Sequence, residues 1–161
     1  MSQPYPFLRQ PIALAGRSLR NRIVMGSMHT GLESADDTAS FERLARFYAL
    51  RAAGGVGLIV TGGFGPNAAG RLTAEDRPFS TPEDAERHKI ITRAVHAAGG
   101  TIVLQLVHAG RYAYHGEAVA PSPVRSPLNK TAPRELSDAE IRATIDDYVH
   151  AARLAREAGY D

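Results

Sequence analysis

Apolar residues recur at helical spacing in three stretches of the chain. Phe41, Leu44, Ala45 and Tyr48 fall on one face of a first helix, with Ser40 placed to cap it. A second helix opens at Thr81-Pro82-Glu83-Asp84, a capping threonine followed by proline and two acids in the first turn, and its inward stripe is Ile90, Ile91, Ala94, Val95 and Ala98. The third begins with the capping box Ser137-Asp138-Ala139-Glu140 and carries Ile141, Ile145, Tyr148, Ala152 and Ala155 on one face. Each pattern closes on glycine, at Gly54-Gly55, Gly99-Gly100 and Gly159, where the chain can turn left-handed without a Cβ penalty. Short apolar runs lie at 22–25, 57–60 and 101–107. Helix, glycine turn and apolar strand together make half of a βαβ unit, so the pattern predicts an α/β fold with parallel strands.

The run 57–60 is apolar throughout, as a strand covered on both faces requires. The run 101–107 carries one polar residue, Gln105, and an unpaired buried amide costs about 1–3 kcal/mol, so Gln105 needs a partner. Ahead of these, Pro11–Leu14 and Ser18-Leu19 around Gly16 predict a small hairpin that plugs the bottom of a barrel or packs at an edge. Turns into the strands are short, whereas the loops after them are long, roughly 62–80 and 109–136, which is where parallel α/β proteins keep their chemistry. About three βα units and a strand stub at Gly159-Tyr160-Asp161 do not close a barrel, and the expectation is a fragment with an open edge strand.

Composition narrows the chemistry. Of 161 residues, 43% are apolar and none is cysteine, which excludes disulfides, thiolate metal sites and a cysteine nucleophile within this sequence. A net charge of +2, evenly spread, gives no electrostatic footprint for nucleic acid. No run is long enough to span a membrane and no secretory signal opens the chain, so a soluble, cytoplasmic protein is expected. The letters Gly63-Phe64-Gly65-Pro66-Asn67-Ala68 match a dinucleotide fingerprint, but Pro66 and Ala69-Gly70 start no helix, so the stretch reads as a glycine-rich loop. No tight metal-ligand set or nucleophile elbow occurs, and no metal site is expected. Two stretches remain. Met25-Gly26-Ser27-Met28-His29-Thr30-Gly31 offers small residues and a polar tip, and Gln105-Leu106-Val107-His108-Ala109-Gly110-Arg111 clusters polar side chains off a strand end. Each also has a plain structural reading, Gln105 as a fold-stabilising amide and His108 as a loop anchor.

Those two stretches, with Asn21-Arg22-Ile23-Val24 and the Gly57–Gly63 run, resemble the opening of the old yellow enzyme flavoprotein family over essentially the whole chain. The Met-Gly-Ser-Met-His-Thr-Gly form is most similar to the NADPH-dependent 2,4-dienoyl-CoA reductase branch, while amine dehydrogenases and N-methyl amino-acid demethylases share the architecture. The resemblance implies the N-terminal portion of an incomplete (β/α)8 TIM barrel binding FMN non-covalently, residues 1–161 being one piece of that domain. It implies that Ser27, Met28 and His29 lie against the flavin ring, that Gly62 approaches it by backbone, and that Gln105 bonds its pyrimidine edge. His108 and Arg111 are implied as positioning residues, with no catalytic residue in this range. NADPH or NADH is the implied reductant and an enone or enoyl-CoA the acceptor. The full-length parent is expected to carry a 4Fe–4S cluster and FAD in addition. The isolated piece is expected neither to turn over nor to bind FMN tightly, and the competing class is a non-catalytic truncated half-barrel.

Overall fold

The computed structural model describes residues 4–34 and 37–161. The predicted hairpin is present as β1 (Ile12–Leu14) and β2 (Arg17–Leu19), paired antiparallel with Ile12 opposite Leu19. Its turn needs Ala15 and Gly16 at positive φ, a combination typical of the tight turns that match strand twist. The hairpin's continuation closes off the strand-entry side of the fold. Arg20 donates to the carbonyls of Ala52 and Val56, and the Asn21 amide donates to Gly55 O at 2.7 Å. Of the two placements the sequence allowed, it takes the one below the strands.

β3 (Val24–Met25), β4 (Leu58–Phe64) and β5 (Ile102–Leu106) form a parallel sheet in that order. Two of the expected boundaries move. The first strand begins at Val24 rather than Arg22, because the Asn21 carboxamide accepts from Ile23 N and turns the chain beforehand. The second strand runs on through Thr61-Gly62-Gly63 to Phe64, so the glycines expected in a loop belong to the sheet. Register changes there: Val60 pairs Val103, but Gly63 pairs Gln105, leaving one extra residue in β4. Asp161 extends the pattern beyond β5, its N–H donating to Ile102 O and its carboxylate accepting from Ile102 N. Among the described residues the sheet is open, the arrangement of a partial (β/α)8 fold.

α1 (Thr38–Ala53) and α2 (Pro82–Ala97) pack on each other over the sheet. The cap of α1 is Asp37, not Ser40. Asp37 is extended and accepts from both the amide and the hydroxyl of Ser40, which lies buried. Those two bonds, hydroxyl first, hold the Asp37 carboxyl below its ordinary range. The capping boxes expected at Thr81 with Asp84 and at Ser137 with Glu140 are both formed. Gly55, Gly99 and Gly159 are the left-handed residues that end the three helices. Leu44, Tyr48, Ile59, Ile91, Val95 and Ile102 are fully enclosed between helices and sheet. Gly100 enters β5 where a Cβ would lie 2.5 Å from Ala52 Cβ and 2.8 Å from Val95 Cγ1. Gly100→Ala is expected to lower the unfolding free energy by about 1–3 kcal/mol through overpacking, read as an earlier urea midpoint at unchanged slope.

α3 (Asp138–Glu157) departs from its predicted stripe. Only Ala151 and Leu154 are buried, while Ile145 is 58% exposed and Ala152 faces solvent. Its C-terminal half packs on α2 and β5. Its N-terminal half stands off, leaving a cleft of about 310 Å³ lined by Ile141, Ile145 and Tyr148 on one side and His108, Val119 and Pro121 on the other. The loop expected over 109–136 also holds structure. A 3-10 turn spans Gly110–Tyr112, and two short strands, β6 (Val119–Ala120) and β7 (Arg134–Glu135), pair in parallel. Two residues each are too few to show a strand period in the sequence.

Candidate functional site

The chemistry-bearing residues gather at the C-terminal ends of the parallel strands. Ser27, just past β3, donates its hydroxyl to Gln105 Oε1 on β5 at 2.7 Å, tying the two outer strands together across β4. This is the partner that Gln105 required. The Gln105 N–H donates to Thr61 Oγ1, and its side-chain NH2 has no protein partner among the described residues. Beneath the tie pass Gly62 and Gly63. A Cβ on Gly63 would lie 2.4 Å from Val107 Cγ1 and 3.0 Å from Gln105 Oε1, so a side chain there collides with Val107 and crowds the amide.

Met28 is half exposed, between Gly26 and Gly31, beside both of which there is open space. His29 keeps its imidazole partly in solvent with Nδ1 3.6 Å from Glu33 Oε2. Gly62 is enclosed by the protein itself. Its N–H donates to the Tyr48 hydroxyl at 3.0 Å, and the place of its missing Cβ is taken by Glu33 Oε1 and the Met28 carbonyl. Burial, with the Glu33 charge adding to it, pushes the Tyr48 phenol up to about 12, so the hydroxyl stays protonated across the working range. Ser27, Met28, His29 and Gln105 thus lie as a rim along the strand ends, with Gly62 buried beneath them and its backbone turned to Tyr48 and Glu33.

His108 and Arg111 stand apart from this rim. His108 turns back on its own loop, its Nδ1 accepting from Gly110 N while Nε2 is buried without a partner. Burial, helped by nearby His115, lowers its basicity. Arg111 lies over the Tyr112 ring and donates to that hydroxyl at 3.2 Å. The sequence reading passed over three residues of the rim's support. Thr61 and Tyr48 fall within a strand run and on a helix stripe, and Glu33 falls in neither of the two polar stretches singled out. The one signal for the last was a threonine three residues ahead of it, the spacing of a local hydroxyl–carboxylate turn.

A sheet rim with a free amide NH2, a neighbouring hydroxyl, an apolar thioether and glycines on the approach suits a flat heterocycle with donor and acceptor groups along one edge. The fold is that of a partial (β/α)8 barrel with this rim at its strand ends. The chain belongs to the NADH:flavin oxidoreductase / NADH oxidase family, which it matches over residues 7–161.

Curated relatives include a metal reductase of Desulforamulus reducens, 38% identical over 96% of this chain and 23% of that protein. The NADPH dehydrogenase of Bacillus subtilis is 34% identical over 94% of this chain and 45% of its own length. An N,N-dimethylglycine/sarcosine dehydrogenase of Chromohalobacter salexigens is 30% identical over 96% and 23%. Among solved structures, morphinone reductase in complex with tetrahydroNAD superposes with a TM-score of 0.85 at 28% identity, over 97% of this chain and 48% of that one. The chain therefore spans from 23% to 48% of these relatives' lengths. No helix among the described residues is long and apolar enough to cross a membrane.

Proposed function

We propose that residues 1–161 supply one side of the flavin site in an FMN-dependent oxidoreductase that takes hydride from NADPH or NADH and passes it to an activated alkene. A 2,4-dienoyl-CoA or related enone is the acceptor class favoured by the Met25–Gly31 motif, and in that branch a 4Fe–4S cluster and FAD would be held by protein outside this chain. The observation that carries the reading is the Ser27–Gln105 bond. It fixes the amide oxygen and leaves its NH2 at the strand ends, beside a loop in which Gly26 and Gly31 border open space.

FMN, when bound, supplies the hydride-accepting and hydride-donating ring. The work of this chain is to bind and orient it. The Gln105 NH2 and the Ser27 hydroxyl would meet the polar edge, Met28 would cover an apolar part of one face, and His29 would place a titratable nitrogen at the rim. No group here is assigned the proton delivered to substrate. The relative that acts on dimethylglycine and sarcosine supports a second reading, amine or N-methyl oxidation on the same rim.

The test is an NMR titration of the chain with millimolar FMN, suited to weak binding. Shifts are expected at Ser27, Met28, His29, Gly62 and the Gln105 side-chain amide. Gln105→Ala should weaken the interaction about tenfold, the equivalent of one well-placed hydrogen bond. Absence of shifts at these residues, or the same titration in the variant, would sink the proposal.

A further inference from the structure

The stretch from Gly26 to Ser34 that carries Ser27, Met28 and His29 has no regular secondary structure. Such a segment is mobile unless something inside the protein holds it. Glu33 lies at its far end, 3% exposed. An ionised carboxylate in that position is costly unless its oxygens are well bonded. Both oxygens are within 2.9 Å of the Thr30 hydroxyl, and the Thr30 N–H donates to the same carboxylate at 3.0 Å. Thr30 Oγ1 in turn accepts from Leu32 N, and Gly31 takes φ +80 to close the turn.

The carboxylate also reaches outside its own loop. It lies against β4, with Oε1 2.6 Å from where a Gly62 Cβ would stand. On its other side is a small enclosed space bounded by Phe41, Phe64, Arg77, Arg87 and His88, so it is seated in the core beneath the rim. The loop therefore has two anchors on the sheet, Ser27 on Gln105 and Glu33 against Gly62, with Met28 and His29 strung between them.

We infer that Glu33 is a positioning residue. Its buried carboxylate locks Thr30 and the loop behind it onto β4, and so sets where Met28 and His29 stand relative to the Gln105 amide. The inference deepens the proposed function and rests on it for its purpose, while the anchoring itself can be measured without any cofactor.

The experiment is amide hydrogen exchange on the full chain, for wild type, Glu33→Gln, Glu33→Ala and Thr30→Val, beside thermal melts and the FMN titration. Exchange at Thr30 and Leu32, whose N–H groups are the bonded ones of the turn, should rise about tenfold or more in Glu33→Ala and less in Glu33→Gln, which keeps one good acceptor. Thr30→Val, which removes a hydroxyl without touching the acid, should loosen the same residues. Amides in α1 and α2 should stay protected in all of them. FMN-induced shifts should fade at Met28 and His29 while persisting at Gln105. Unchanged exchange at Thr30 and Leu32 in Glu33→Ala would overturn the inference. So would a uniform loss of protection across the helices in both Glu33→Gln and Thr30→Val, which would make the network a general core brace. If wild type shows no FMN shifts at all, the flavin reading fails by itself and the exchange data still decide whether Glu33 anchors the loop.

Discussion

Between pH 7 and about pH 4.5 the chain is expected to lose roughly 2–3 kcal/mol of unfolding free energy through His88 alone. This histidine is 2% exposed, with its ring set against Phe41, Phe64 and Phe79 and its Nδ1 2.8 Å from the Tyr160 hydroxyl. Burial drives its pKa down to about 3, with Arg87 adding to the effect and Asp84 opposing it. In the unfolded chain it titrates at the ordinary 6.5. Below that value the unfolded state takes up a proton that the folded state refuses. The stabilisation is therefore complete above 6.5 and is lost progressively as pH falls toward 3. Asp84 does not confuse this window. Burial works against its ionisation, but bonds from Thr81, Ser80 and Arg77 outweigh that and keep its pKa below the usual value, so its contribution fades only under more acidic conditions. His108 shifts the same way and adds to the slope. Urea midpoints of wild type and His88→Gln, measured from pH 7 to 4.5, should converge as the pH drops. Parallel curves would show that His88 is protonated in the folded state.

The second large effect is expected from one methyl group. Gly62→Ala would bring its Cβ to 2.6 Å from Glu33 Oε1 and 3.0 Å from the Met28 carbonyl. One neighbour is backbone and the other is a carboxylate held by Thr30, so neither can yield without breaking the loop anchor. Forcing a methyl group into so close a contact is overpacking, which costs about 1–3 kcal/mol, and the substitution is expected at the upper end of that range. Gly26→Ala is the matched control, since a Cβ there meets nothing within 4 Å and the change should stay within about 0.5 kcal/mol. Equal urea midpoints for the two variants would refute the close packing of Glu33 on β4.

The helices were legible because each carries its own start and stop signals. Thr81 with Asp84, Ser137 with Glu140 and the three left-handed glycines act within a few residues of themselves, so local sequence suffices. The cap of α1 was misplaced by three residues because Asp37 and Ser40 both have capping side chains and only the backbone geometry separates them. The stripe on α3 was legible as a stripe but not as a packing surface, since its half from Ile141 to Tyr148 faces a cleft that no nearby element fills. At the site, Gln105 announced itself as an amide in an apolar strand, and Ser27 proved to be its partner. Glu33 and Tyr48 gave no such sign. Their roles depend on Gly62 lying between them, a meeting of three segments that spacing along the chain cannot encode.

The extra residue in β4 makes that strand sensitive to counting as well as to composition. Ile59 and Phe64 belong to the same buried cluster although they are five positions apart, an odd interval that an unbroken pleat would place on opposite faces. The slip between Val60 and Gly63 restores the phase and lets Phe64 reach His88, 4.6 Å away between ring centres. A single-residue deletion within 61–63 would shorten the interval to four and let a regular pleat keep Phe64 on the Ile59 face. A single-residue insertion there, with the slip retained, would turn it to the other face. Length in this strand is thus constrained in one direction: loss of one residue can be absorbed by loss of the slip, while an added residue needs a nearby deletion to be tolerated.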